Sequence, residues 1–179
     1  MIENIWQIRW LAIWQRHLQV WLKQAGPSLM ANFAEPLMTL VILGYGLGAF
    51  VGKVHDIPYI TFLASGMICS SATNSATCEC LYSAYTRMAM QQTWQGMLAT
   101  PVDIQDIVLG EIIWAATKSL FNVVALLIVA VLLGIVPTWQ ALWVLPIMLL
   151  VGICFAAMAL IFTALAHSYD FFLYYITLF

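Results

Sequence analysis

Four ionisable side chains, Glu35, Glu79, Glu111 and Lys118, fall at or inside long apolar runs of this 179-residue chain. An isolated charge at the centre of a bilayer costs at least about 2.5–3.5 kcal/mol on insertion scales, so each must face protein or water and find a partner. Lys118 lies deepest, and Glu111 stands seven residues before it on the same helical face. Two kinds of chemistry use carboxylates and an ammonium in this way: a polar set that holds spans together, and a proton or ion relay. A relay wants a denser series of carboxylates than these segments hold. Other chemistries have weaker support. No G-x-x-x-x-G-K-[ST] occurs, and Ala116-Thr117-Lys118-Ser119 lacks the glycines that let backbone amides cradle phosphate. No G-x-S-x-G elbow is present, and His17, His55 and His167 sit on separate segments without a metal-ligand pattern. Cys69, Cys78, Cys80 and Cys154 read as buried, inert thiols, since Cys78-Glu79-Cys80 has neither zinc-site spacing nor partners. The chain is expected to bind no cofactor or metal and to catalyse nothing itself.

The elements that carry these charges are membrane elements. Hydrophobic residues make up 64% of the chain and charged residues 8%, against roughly 25% in a soluble domain. A formal net charge of −2 excludes a nucleic-acid binder held by phosphate contacts. The expected architecture is all-α and polytopic: an N-terminal interfacial amphipathic helix, four complete transmembrane helices and the start of a fifth.

Residues 2–24 form the interfacial helix, with Arg9, Arg16 and Lys23 recurring every seven positions along one line and Trp6, Trp10, Trp14 and Trp21 on the other side. Indole prefers the headgroup boundary and cations prefer anionic lipid, so membrane lipids are its expected partner. Gly26-Pro27-Ser28 stops it. The first span covers 29–51 and contains Glu35-Pro36 and the small-xxx-small pair Gly44/Gly48. The second covers 58–81; its later half is small and polar, and Ser70, Ser71, Asn74 and Ser75 suit either close helix packing or the lining of a substrate path. The third covers 104–133 and the fourth 139–166, the latter with Pro146 as a kink or first-turn proline. Residues 171–179 begin a fifth run, and nine residues cannot cross a bilayer as a helix, so the chain reads as a piece of a longer protein or one cut inside a span. Placing the N-terminus in the cytoplasm puts Arg9, Arg16, Lys23 and Arg87 inside and only Lys53 outside, the arrangement the positive-inside rule prefers.

The longest interruption, 81–111, is then a cytoplasmic connection. Within it a helix is expected over 87–100, with Met90, Trp94, Met97 and Leu98 on one face and Gln91, Gln92 and Gln95 opposite. Pro101 ends it, and Asp103 with Asp106 forms a capping-box-like start for the third span. A short helix with thioethers and an indole on one face fits either the membrane surface or a groove in a partner.

Several motifs carry a family resemblance: Glu35-Pro-Leu-Met, Gly44-Tyr-Gly-Leu-Gly48, Tyr82-x-x-Tyr85-Thr-Arg87-Met, Thr93-Trp-Gln-Gly-Met-Leu-Ala-Thr-Pro101 and Asp106-Ile-Val-Leu-Gly-Glu111. Together they resemble the permease subunits of ABC-2 type exporters, in the branch of the nodulation-factor (lipo-chitooligosaccharide) exporter permease and its drug-efflux relatives. The resemblance implies a six-span half-transporter of the inner (plasma) membrane that works with a second permease copy. A separate ABC ATPase subunit would hold the ATP and Mg. It further implies a coupling helix at 87–100, whose Arg87, Met90, Gln91, Trp94, Gln95, Met97 and Leu98 would meet the ATPase. The rest of the fifth span and the sixth are missing from the match.

Overall fold

The computed structural model describes residues 9–23, 26, 38–54, 56–135, 138–166 and 168–178. Trp6 and Glu35 lie outside the described residues, as do Pro27, Pro36, His55 and His167.

Helix α1, Arg9–Lys23, packs along α5, Ile104–Leu132. Contact begins where Ile13 and the Trp10 carbonyl cover Gly110, continues through Trp14 at Thr117 and ends where Trp21 stacks on Phe121. From Trp10 to Trp21 and from Gly110 to Phe121 the two helices advance by the same number of residues, about 16 Å at 1.5 Å per residue. Hence α1 runs alongside α5 in the same direction, and Trp14 and Trp21 turn to protein where a lipid-facing belt was expected. Gly110 permits this approach: a Cβ there would stand 2.8 Å from the Ile13 side chain.

Helix α2, residues 38–51, is wound wide over Ile42–Leu47 and closes with Gly48–Val51. Gly44 is buried against Ile60, so half of the small pair serves packing within the chain. Two two-residue strands follow, β1 (Lys53–Val54) and β2 (Ile57–Pro58), paired antiparallel with Lys53 opposite Pro58. Gly52 at φ +70° and Asp56 at φ +65° make the turn.

Helix α3 starts with Tyr59–Cys78 and continues through Glu79–Ala84 and Thr86–Met90, both wound wider than an α-helix. It therefore outruns the expected span end at 81 and absorbs the first residues of the expected 87–100 helix. Gln92, in the left-handed region at φ +49°, breaks the chain, and α4 is only Thr93–Leu98. The break is also why the expected apolar face does not exist as one surface. Trp94 is buried and Met97 partly so, whereas Met90 and Leu98 are 66% and 46% exposed.

The Asp103 amide donates to the Asp106 carboxylate at 3.3 Å where α5 begins. Helix α6, Thr138–Leu165, contains Pro146 and packs antiparallel to α5 across a short turn; α7 is Asp170–Leu178. Gly152 on α6 sets the spacing, because a Cβ there would lie 2.5 Å from Ser119 Oγ. Helices joined in lipid gain little from the hydrophobic effect and rely on such small contacts. Among the described residues two helices are long and apolar enough to cross a membrane, Ile104–Leu132 and Leu142–Leu165. Of the cysteines only Cys80 is buried, and Cys69, Cys78 and Cys154 lie exposed, because the α3 and α6 faces that carry them are uncovered.

Candidate functional site

Of the four ionisable residues, Glu79, Glu111 and Lys118 meet, with Arg87, in one cluster where α1, α3, α4 and α5 pack together. Glu79 and Glu111 are 4% and 1% exposed, and neither oxygen pair is left bare. Arg87 grips Glu111 with two nitrogens, Nε to Oε1 at 3.0 Å and Nη2 to Oε2, while its Nη1 donates to Glu79 Oε1 at 3.0 Å. A planar guanidinium can serve two carboxylates in this way where a lysine could not. Lys118 Nζ donates to Glu79 Oε2 at 2.6 Å. Two indoles complete the shell: Trp114 Nε1 donates to Glu79 Oε1 at 3.0 Å and Trp94 Nε1 to Glu111 Oε1 at 3.2 Å.

Local winding makes the Arg87–Glu79 pair possible. Residues eight apart on an α-helix point about 80° away from each other at 100° per residue. The i→i+5 bonding of Glu79–Ala84 and Thr86–Met90 lowers the rotation per residue and brings the two side chains onto one side. Sequence reasoning placed Arg87 on a partner-facing surface; it is instead the centre of the polar set. The regular helical period hid its partnership with Glu79.

His17 is another residue that sequence reasoning did not place here. It is 4% exposed, its Nε2 stands 3.4 Å from Glu111 Oε1, and its ring lies over Trp114 with centroids 5.9 Å apart. Nothing in its own segment signals this, since the partner is on α5. Arg16 reaches α4 by donating to Met97 Sδ at 3.3 Å. Arg9 and Trp10 are half-buried and Lys23 is exposed. Gln91 and Gln95 are exposed.

One cavity of about 560 Å³ opens beside the cluster, between α2, α3 and α5. Ser70, Ser71, Asn74 and Ser75 line it together with Lys118 and Asn122, and Asn122 Nδ2 donates to Ser75 Oγ at 2.9 Å. The small polar face of α3 is thus brought to the same place as the deepest cation.

A helical bundle with a charge cluster opening on a polar cavity suits a transport component, and sequence comparison decides its kind: residues 8–179 match the ABC-2 type transporter family. The chain belongs to that family. Its relatives include nodulation protein J of Sinorhizobium fredii, 45% identical over 98% of this chain and 66% of the relative, and nodulation protein J of Rhizobium leguminosarum bv. trifolii, 44% identical over 96% and 65%. The inner membrane transport permease YadH of Escherichia coli is 26% identical over 89% of this chain and 56% of its own length. The chain therefore spans just under two thirds of the nodulation relatives. No solved structure matches it. As an ABC-2 protein it is a mostly helical membrane transport component.

Proposed function

We propose that this chain is the permease subunit of an ABC-2 exporter that moves an amphipathic substrate, of lipooligosaccharide, glycolipid or drug-like type, out of the cytoplasm. A separate ABC ATPase subunit drives it, with ATP and Mg bound there, and a second permease copy completes the pathway. The protein resides in the inner membrane with its N-terminus in the cytoplasm, where Arg9, Arg16, Lys23 and Arg87 satisfy the positive-inside preference.

One observation supports this reading above the others. A continuous series of hydrogen bonds runs from Trp94 on the short helix α4 to Glu111 on α5, through Arg87 and Glu79 on α3, to Lys118 on α5. A push on the exposed side of α4, at Gln95 and Leu98, is delivered to two long helices at once. The same bonds weigh against an ion- or proton-coupled carrier, because the carboxylate oxygens of Glu79 and Glu111 already accept donors from fixed side chains.

Gln95→Cys in the permease, co-expressed with its ATPase, tests the role of α4. A crosslink whose yield changes with bound nucleotide is the expected result. A folded, full-length complex that forms none overturns it.

A further inference from the structure

The cavity between α2, α3 and α5 has a chemistry of its own. Among the described residues its only charged lining groups are Glu79 and Lys118. Glu79 accepts from Arg87, Trp114 and Lys118 and offers little to a ligand. Lys118 has three protons and spends one on Glu79, so two donors remain. Asn122 spends one amide hydrogen on Ser75 and keeps its carbonyl and the other hydrogen. Ser71 and Asn74 add a hydroxyl and a carboxamide that hydrogen-bond to no described residue.

The charges close on themselves: Glu79 and Glu111 are matched by Arg87 and Lys118 in one bonded group. An anion entering the cavity gains Lys118 but meets Glu79 beside it, and a cation meets the reverse. A neutral group rich in hydroxyl, ether or amide oxygens has no such penalty and can take up the surplus donors. A volume of about 560 Å³ falls in the range of small-ligand sites. Lys118 stands about midway along α5, where polar groups without partners are costly in lipid.

We propose that this cavity binds the neutral, oxygen-rich head of the transported amphiphile, with Lys118 as the group that reads it. The inference rests on the permease reading and deepens it by naming the class of head group. Lys118 also ends the bonded series that starts at Trp94, so head-group binding and the position of α4 affect each other reciprocally.

Cys78 lines the cavity and is exposed, so the chain carries its own probe, and Cys78→Ser supplies the background labelling of the remaining cysteines. The full-length permease, assembled with its ATPase in lipid nanodiscs, is treated with a water-soluble maleimide, and labelling of each cysteine is read by mass spectrometry. Three amphiphiles of equal chain length compete: an alkyl diglycoside, an alkyl phosphate and an alkyl trimethylammonium. The diglycoside is expected to slow labelling of Cys78 about tenfold, leave the Cys78→Ser background unchanged and outperform both charged probes. Lys118→Met should remove about tenfold of that protection and Lys118→Arg restore part of it. Because Lys118→Met also leaves Glu79 short of a donor, Ser71→Val provides a second variant that touches no ion pair; it should weaken protection about threefold. Equal protection by the phosphate overturns the neutral-head assignment. Failure of the diglycoside to protect Cys78, or protection unchanged in Ser71→Val and Lys118→Met, overturns the site, and a Cys78–Cys78 disulfide between copies, formed when a copper–phenanthroline oxidant is added in place of the maleimide, overturns it too by assigning the cavity to the second permease. A complex that passes the Gln95 crosslink test and fails here loses the cavity alone.

Discussion

The two ends of the bundle are held together by different physics. Toward the end where α4 sits, α1, α3, α4 and α5 meet around Glu79, Arg87 and Glu111, and the series reaches Lys118 midway along α5, each bond made by a directional donor and acceptor. At the other end Ile68 and Ala72 of α3 pack on Val123, Leu126 and Leu127 of α5 and on Val144, Leu145 and Met148 of α6, with no polar contact among them. In a bilayer the apolar end has little hydrophobic drive, because lipid tails solvate these side chains as well as their neighbours do. Shape alone sets its preference, so it can slide at small cost. The charged end cannot, since any shift leaves a buried charge without its partner. The charged end is thus expected to hold its register and the apolar end to adjust, a division consistent with the proposed entry of motion at α4.

Four substitutions test that contrast. Arg87→Met should be the most damaging, at about 3–5 kcal/mol, because it takes the guanidinium from buried Glu111 and one donor from Glu79; thermal unfolding of the detergent-solubilised protein reads the loss, and a change under 1 kcal/mol would dissolve the contrast. Trp94→Phe keeps the ring and removes the bond to Glu111, at about 1.5–3 kcal/mol for a bond to a charged acceptor. Its signature is ATP hydrolysis that persists while transport falls, and proportional loss of both would place Trp94 in packing only. Leu127→Ala at the apolar end should cost roughly half of the about 2–5 kcal/mol seen in soluble cores, as only packing is lost. A full soluble-core penalty, measured by the same melt, would show that the apolar end is as rigid as the charged one. Thr163→Val removes an interhelical bond from α6 to the Cys80 carbonyl and should cost only about 0.6 kcal/mol, the usual worth of such bonds in membrane proteins; a loss several times larger would extend the fixed region to α6.

The two ends also differ in how far they can be read from sequence. The apolar runs, their lengths and the restart at Asp103 are local properties, and α5 and α6 begin and end within a residue or so of where hydropathy puts them. The polar set was legible in part. Glu79, Glu111 and Lys118 stood out because charge in an apolar run needs a partner, but nothing in the period of α3 paired Glu79 with Arg87, and His17 and Trp94 looked like members of other surfaces. The helix expected over 87–100 followed a periodicity that a single left-handed residue, Gln92, interrupts.

By itself, then, the amino-acid sequence determined the class of the protein: a helical membrane transport component of the ABC-2 family, recognisable through composition and the motifs around Thr93–Glu111. Tertiary structure alone decided what the charges do. Wide winding of α3 swung Arg87 inward, Gly110 admitted α1 to the side of α5, and the break at Gln92 turned Trp94 into the core. Hydropathy sums over neighbours along the chain and survives without a fold, whereas a buried ion pair depends on ångström-scale distances between residues far apart in sequence.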